Sequence, residues 1–310
     1  KAKVVINATG AWADELRGEM SDEKNIRPAR GSHIVVPSWR LPVAQAYTAM
    51  HPDDKRPIFI FPWEGRTVIG TTDIDNKGID NKEVAMTRAE LDYLMCVANF
   101  QFPKADLKVS DIISSWAGVR PLVSSGALNP SKEKRNHSIW SDKGLVTVSG
   151  GKLTTFRLIA LDVLKEAESY LPGFSALDSG AEMFTQSNPI HALFKSLPGY
   201  LKRRLKGHYG MDSDLLLAQA QPNELDVIPG ASAMWAELRW SARNEAVVHL
   251  DDLLLRRTRI GLLVEQGGLI YEAKIKAICC QELKWDDSHW QAELERYKTI
   301  WNTYYSIPAK

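Results

Sequence analysis

Gly150, Gly151 and Lys152 form the stretch of this sequence best suited to receive an anion. Ser149 and the two glycines interrupt a short β-prone run, Leu145-Val146-Thr147-Val148. From Leu153 onward, Leu153, Phe156, Ala160, Val163, Leu164, Ala167 and Leu171 recur every three or four positions, the period of one helix face. Pro172-Gly173 then stops the helix. A strand, a glycine pair and a helix start in direct succession let a ligand approach bare backbone, and the amides of a helix's first turn attract a phosphate or carboxylate. Lys152 adds a full positive charge there. The same spacing also describes a tight strand-to-helix turn with a solvated lysine. A nucleotide P-loop is excluded, because Val146 stands where its first glycine belongs and Leu153 where Ser or Thr should follow the lysine.

Three other short stretches carry groups of the same chemical type. In Gly118-Val119-Arg120-Pro121-Leu122 an arginine at a strand end is held by a following proline, and its planar fork of donors suits a carboxylate or phosphate. A surface ion pair is the competing reading of Arg120. In Arg30-Gly31-Ser32-His33 a glycine turn delivers His33 to the start of a strand, where it serves as base, donor or satisfied structural group. Gly70-Thr71-Thr72-Asp73 follows a strand and either bonds a ligand or shapes a turn.

The elements that must position these groups fall into three kinds. Val4-Val5-Ile6 reads as a continuously buried strand leading through Asn7-Ala8-Thr9-Gly10 into a short helix with Trp12 and Leu16. With the unit at Leu145 it belongs to a parallel sheet covered on both faces. Two strands do not make a sheet, so the chain is expected to be the later part of a larger protein. Between the two units, His33–Val36, Ile58–Phe61, Thr67–Gly70 and Ile112–Val119 are short β-prone runs. Pro62 to Arg66 reads as a hairpin loop, and Thr87-Arg88-Ala89-Glu90 as a capping box opening one crossing helix. Such an antiparallel insertion walls a substrate pocket or serves as structure alone. The apolar period is lost over 175–188, a linker, and everything after it is helical. Trp290, Leu294, Tyr297, Trp301 and Tyr304 make an aromatic stripe suited to core packing. Lys202-Arg203-Arg204 with Lys206 and His208 is a basic run with no acid close by in sequence, read as a solvated helix face or a contact with anionic lipid.

Composition bounds the function. The 310 residues suit about two domains, and 39 Lys plus Arg against 38 Asp plus Glu leave a net charge of +1, with nothing to attract nucleic acid as a whole. Cys96, Cys279 and Cys280 form neither a disulfide framework nor a metal-ligand spacing, so no metal is expected and a reducing compartment is. No apolar run has the length of a membrane span, and a cytoplasmic or peripheral membrane location is expected.

In order and separation, VVINATGAWAD, RGSHIVVP, FPWEGRTVIGTTD, GVRPL and SGGKLTTFR resemble the FAD-dependent glycerol-3-phosphate dehydrogenases. That family lies within the flavin oxidoreductases related to D-amino-acid oxidase. LKRRLKGHYG and LDDLLLRRTRIGLL are similar to the family's C-terminal region, so the resemblance covers essentially the whole chain. It implies an α+β fold. Residues 1–25 and 142–174 would be the remnant of a Rossmann-like FAD domain, 26–141 an inserted antiparallel-sheet substrate domain, and 189–310 an all-α C-terminal domain. The implied reaction is oxidation of sn-glycerol 3-phosphate to dihydroxyacetone phosphate, with hydride passing from C2 to flavin N5 and electrons leaving to a quinone, or to oxygen in related oxidases. Arg120 and Lys152, with Thr72, would bind the substrate, and His33 would face its hydroxyl. Thr9, Gly10, Gly150, Gly151, Lys152, Leu153 and Thr154 would present backbone or side chain to FAD.

The departure from the family lies at the front, since no GxGxxG follows a strand in these residues. The chain by itself is therefore expected to be inactive, with an exposed sheet edge that favours self-association. One alternative is an amino-acid or amine oxidase of the same flavin group, which needs a single carboxylate partner where a phosphate dianion uses both Arg120 and Lys152. Another is a non-catalytic module that binds a membrane or a partner protein through the basic run and the aromatic helix.

Overall fold

The computed structural model describes residues 1–18, 23–76, 83–124, 136–174, 178, 180–183 and 189–309. Of the linker expected at 175–188, residues 175–177, 179 and 184–188 lie outside the described residues. The strands are β1 (Val5–Asn7), β2 (Ile26–Pro37), β3 (Tyr47–Met50), β4 (Pro57–Trp63), β5 (Arg66–Gly70), β6 (Ile74–Asp75), β7 (Ser114–Val123), β8 (His137–Asp142) and β9 (Leu145–Gly150). The α-helices are α1 (Ala13–Arg17), α2 (Arg88–Gln101), α3 (Phe156–Ala167), α4 (Ala192–Ser196), α5 (Gly199–Tyr209), α6 (Ser213–Ala218), α7 (Trp235–Asn244), α8 (Ile260–Leu263), α9 (Glu272–Glu282) and α10 (Asp287–Tyr304). Two compact units result: Lys1–Gly31 with Thr72–Val84 and Ala117–Met183, and Ser32–Thr71 with Ala85–Trp116 and Phe184–Lys310.

The first unit is built on a sheet of order β1-β9-β8. β1 runs parallel to β9, with Val5 opposite Leu145 and Asn7 opposite Thr147. β8 is antiparallel to β9 and reaches it through Lys143-Gly144, both at positive φ, the geometry that a two-residue hairpin turn demands. Sequence patterning does not disclose β8, whose His-Ser-Ile-Trp-Ser-Asp run has only two large apolar residues. It also predicts burial for Val4-Val5-Ile6, whereas Val5 and Ile6 are exposed and only Asn7 of β1 is buried. β1 is an edge strand here, and alternate side chains leave on opposite faces, so each face shows one of these residues to solvent. The core under this sheet is Val146, Val148 and Val163, with Val4, Ile139, Ile159 and Tyr170 against it.

The second unit packs an antiparallel sheet against a helix and continues into the C-terminal helices. β3, β4, β5 and the last part of β2 lie side by side, with His33 opposite Gly70 and Val36 opposite Thr67. Alternation sends Ile34, Val36, Ile58, Ile60 and Ile69 to one face, where Leu91, Leu94, Val97 and Ala98 of α2 meet them. α2 starts at the expected capping box: Thr87 accepts from the Glu90 amide, and Glu90 accepts from the Thr87 amide at 2.9 Å. The β4–β5 turn is shorter than expected, because Pro62 and Trp63 stay in β4 and only Glu64-Gly65, both at positive φ, make the bend. In the helical part, Trp290, Leu294 and Tyr297 of α10 are buried in the largest core, as the aromatic stripe foretold. The Tyr297 hydroxyl donates to Gly267 O at 2.6 Å and Trp301 Nε1 to Gly261 O at 2.8 Å. Among the described residues no helix is long and apolar enough to cross a membrane.

Acids do meet the basic run of α5. Arg204 is partly buried between Glu64 of the β4–β5 turn and Glu237 of α7, donating to Glu237 at 3.0 Å and also ion-paired to Glu64. His208 lies 3.4 Å from Glu64, and the Tyr209 hydroxyl donates to Glu237 at 3.1 Å. Both carboxylates are far from the run in sequence, so local charge counting could not find them. Burial works to raise the Glu64 carboxyl, but hydrogen bonds from His208 and Ser232 and the charge of Arg204 outweigh it and hold it down at about 2. Arg203 and Lys206 remain exposed.

Candidate functional site

In the first unit, the last residue of β9 and the one after it are positions suited to glycine. Gly150 and Gly151 have φ of +81° and +84°. A Cβ on Gly150 would come within 2.6 Å of Asn136 O, and one on Gly151 within 2.5 Å of Ile159 Cδ1. Both reasons act together: the left-handed backbone excludes ordinary side chains, and the loop is pressed against neighbouring chain. Lys152 returns to extended backbone and caps a 3-10 turn, Leu153–Thr155, with no side-chain hydrogen bond to its amides. α3 follows, again without a side-chain cap at Thr155. Two successive helical starts therefore present amides in the same few residues.

The helix is not the single amphipathic rod that spacing predicts over 153–171. Leu153 is 88% exposed, and Phe156 and Ala160 are exposed too, while Val163 and Ala167 are buried. Packing on the sheet runs through Ile159, Val163 and Tyr170, of which Val163 alone belongs to the predicted face. The opening turn is 3-10, which rotates the residues before Phe156 out of the α-helical register.

Arg120 and Lys152 share a concavity. A cavity of about 300 Å³ is lined by Arg120, Pro121, Leu122, Gly150, Gly151, Lys152 and Leu153, so two cations and a glycine backbone face the same space. Arg120 Nη1 donates to Asp73 Oδ1 at 3.1 Å and to Thr72 O at 3.3 Å. The Asp73 side chain is 1% exposed and that of Arg120 is 28% exposed, so a buried carboxylate holds one edge of a guanidinium that still reaches solvent. Arg120 thus forms an ion pair and also lines a cavity with Lys152. Thr72 enters through its carbonyl, and its residue is buried. Lys152 also lines a second concavity of about 460 Å³ with Gly151, Thr155, His137 and Asp162, where His137 Nε2 and Asp162 Oδ2 are 2.9 Å apart.

Thr9 and Gly10 are organised by Asn7. Asn7 Nδ2 donates to Ala13 O at 2.9 Å and to Thr147 Oγ1 at 3.3 Å, and its Oδ1 accepts from Thr9 Oγ1 at 2.7 Å. Gly10 has φ of +63°, and a Cβ placed on it would meet nothing within 4 Å, so its backbone is open. Ser149 Oγ donates to its carbonyl at 3.4 Å. Thr154 is exposed in the 3-10 turn. His33 belongs to the second unit, where its ring stacks on Trp116 at 4.7 Å and 13° and lies where a Cβ on Gly70 would come within 2.2 Å. Sequence reasoning missed Asp73 as the anchor of Arg120 and Asn7 as the knot between β1 and β9. Both lay inside stretches already singled out, GTTD and NATG, but their partners are distant in the chain.

A family model described as FAD dependent oxidoreductase matches residues 1–157. The chain belongs to this family. A second model, the C-terminal domain of alpha-glycerophosphate oxidase, matches residues 176–290. Family members with curated names include the aerobic glycerol-3-phosphate dehydrogenases of Staphylococcus haemolyticus, 34% identical over 83% of this chain and 50% of the relative, and of Staphylococcus epidermidis, 31% identical over 95% and 57%. A solved family structure, the glycerol-3-phosphate dehydrogenase from Bacillus halodurans complexed with FAD, superposes with a TM-score of 0.74 at 26% identity, over 96% of this chain and 62% of that one. The chain spans about half the length of the curated relatives it matches. The fold is accordingly that of the family: a mixed α/β domain with an antiparallel sheet, then a helical C-terminal domain.

Proposed function

We propose that this chain is part of an FAD-dependent dehydrogenase that oxidises sn-glycerol 3-phosphate to dihydroxyacetone phosphate. The observation that carries the reading is the single concavity lined by both Arg120 and Lys152. A phosphate dianion uses two cations, whereas the carboxylate of an amino acid needs one, so the arrangement favours the phosphate substrate over the amino-acid oxidase alternative. The backbone of Gly150 to Thr154 and of Thr9-Gly10 is the stretch proposed to meet FAD, since the space beside Gly10 is open and the turn after Lys152 has no side-chain cap. FAD, when bound, supplies the acceptor for the two electrons and one proton that leave C2 as hydride.

The remaining steps belong to the protein. Arg120, braced by Asp73, and Lys152 bind the phosphate and fix the substrate's orientation. The family resemblance supports His33, whose ring stacks on Trp116 within the second unit, as the acceptor of the hydroxyl proton. Lys152, beside the glycine loop, adds the charge that favours an anionic reduced cofactor. Electrons are proposed to pass on to a quinone, with the protein peripheral to the membrane; exposed Arg203 and Lys206 on α5 support an anionic-lipid contact.

The test is Arg120→Ala in the complete protein. Loss of a charged, partly desolvated contact costs on the order of 2 to 5 kcal/mol, so KM for glycerol 3-phosphate should rise at least about thirtyfold while FAD content stays normal. An unchanged preference for glycerol 3-phosphate over glycerol would remove the reading.

A further inference from the structure

The second unit brings an imidazole, a thiol and a carboxylate together where β3 ends. His51 follows Met50, is 1% exposed, and stacks on Tyr93 of α2 with ring centres 3.7 Å apart and planes 3° apart. Its Nε2 lies 3.2 Å from Tyr93 O. A carbonyl only accepts, so Nε2 carries the proton and the lone pair of the neutral ring sits on Nδ1. That lone pair receives the Asp53 amide at 3.2 Å and looks toward Asp53 Oδ2 at 3.8 Å and Asp54 Oδ1 at 3.7 Å. The ligand atoms of His51, Asp53 and Cys96 all lie within 4.8 Å of one another.

His51 Nδ1 accepts the Asp53 amide, and Asp54 Oδ1 accepts the Arg56 amide and the Tyr93 hydroxyl; the same convergence of a ring nitrogen and two carboxylates also offers donors to a cation. The separations of Nδ1 from the two carboxylates are too long for hydrogen bonds. The 3.8 Å between His51 Nδ1 and Asp53 Oδ2 is close to the roughly 3.3 to 3.8 Å that separates ligand atoms around a tetrahedral ion with bonds of about 2.0 to 2.3 Å, and the Cys96 ligand atom lies within 4.8 Å of theirs. The orientation also matches, since metal-bound histidines commonly donate their other N–H to a backbone carbonyl, which fixes tautomer and ring. The Tyr93 stack fixes the ring further. We propose that His51, Asp53 and Cys96 form a binding site for a borderline divalent cation, Zn²⁺ being the chemical type that suits mixed nitrogen, sulfur and carboxylate donors. Asp54 stands beside it as a second negative charge, with its carboxylate held by the Tyr93 hydroxyl at 3.0 Å. Binding takes the Cys96 thiol proton, which leaves to solvent, and exchanges the Asp53 amide bond at Nδ1 for the metal. The ion would tie the 51–54 turn to the middle of α2, and water would fill the remaining position.

The experiment titrates Zn²⁺ into the chelator-treated, reduced chain by calorimetry, with Cd²⁺ absorption reporting a metal–thiolate bond. Cys96 and Asp53 are exposed, so Cys96→Ser and Asp53→Asn should fold normally. The wild type should bind one equivalent, each variant should lose about tenfold or more in affinity, and the thiolate band should vanish in Cys96→Ser. No saturable binding by the wild type would overturn the proposal. Unchanged affinity in either variant would overturn it too, placing any bound ion at other groups such as Cys279 and Cys280.

Discussion

Lys152 stands at the junction of two glycines and two helical starts, and its consequence separates an anion site from a solvated lysine. In the complete protein, Lys152→Met is expected to weaken glycerol 3-phosphate binding and also to lower the flavin midpoint potential, since a cation that favours the reduced, anionic ring is gone. A potential and a substrate affinity both equal to wild type would leave Lys152 a surface charge. Asp73 acts one step back: Asp73→Asn keeps the shape but removes the charge that braces Arg120 at 3.1 Å, so KM should rise several-fold with kcat changed less. Equal losses in kcat and kcat/KM would assign Asp73 to a different role. The glycines are tested by folding alone. Gly151→Ala combines a positive φ with a 2.5 Å approach to Ile159, and should cost about 1 to 3 kcal/mol in urea unfolding. These residues were legible in the sequence because their chemistry is local. Asp73 as an anchor was not, because its partner lies 47 positions away.

Among the elements, those specified by short-range signals were read correctly and those specified by packing were not. α2 has its capping box written in Thr87 and Glu90, and Glu90 is engaged again by Ser32 Oγ at 2.8 Å. Thr87→Ala should therefore lower stability by about 1 kcal/mol, read as a shift in the urea midpoint. Over the first turns of α3 the predicted face is exposed, since a 3.6-residue period says which residues share a face and nothing about whether that face is covered. β8 was missed for a related reason, its stability coming from pairing with β9 more than from apolar content. The Glu64 clasp shows the same limit more strongly. It joins the β4–β5 turn to α5 and α7. A carboxyl depressed from 4.5 to about 2 contributes stability that is present above the unfolded value and is lost as pH falls toward the folded one. Between about pH 5 and pH 2 the wild type should lose stability more steeply than Glu64→Gln, the other carboxyls being common to both. Parallel pH profiles for the two proteins would remove the clasp as an ionic contributor.

For the molecule as a whole, the informative fact is how much apolar surface the first unit shows. Val5 is 49% and Ile6 45% exposed on the two faces of edge strand β1, Trp12 and Leu16 are exposed beside them in sequence, and Leu153 and Leu158 are exposed at the start of the α3 region. An isolated exposed leucine needs no explanation, but a paired strand with both faces uncovered does, because its outer edge also offers N–H and C=O groups to another chain. A net charge of +1 provides little electrostatic repulsion against such contact. The described polypeptide should therefore self-associate. Sedimentation velocity should show a weight-average coefficient that climbs with concentration, and Ile6→Lys, which puts a charge on the edge without touching the Val146–Val163 core, should reduce the climb. A coefficient independent of concentration in the wild type would mean that these residues are tolerated in water as they stand. Concentration dependence unaltered by Ile6→Lys would place the contact on other surface. The composition of Val4-Val5-Ile6 points to burial, whereas Val5 and Ile6 are exposed. What the sequence carries is the demand of these residues for cover, and whether the demand is met depends on surfaces that the pattern of a single strand does not name.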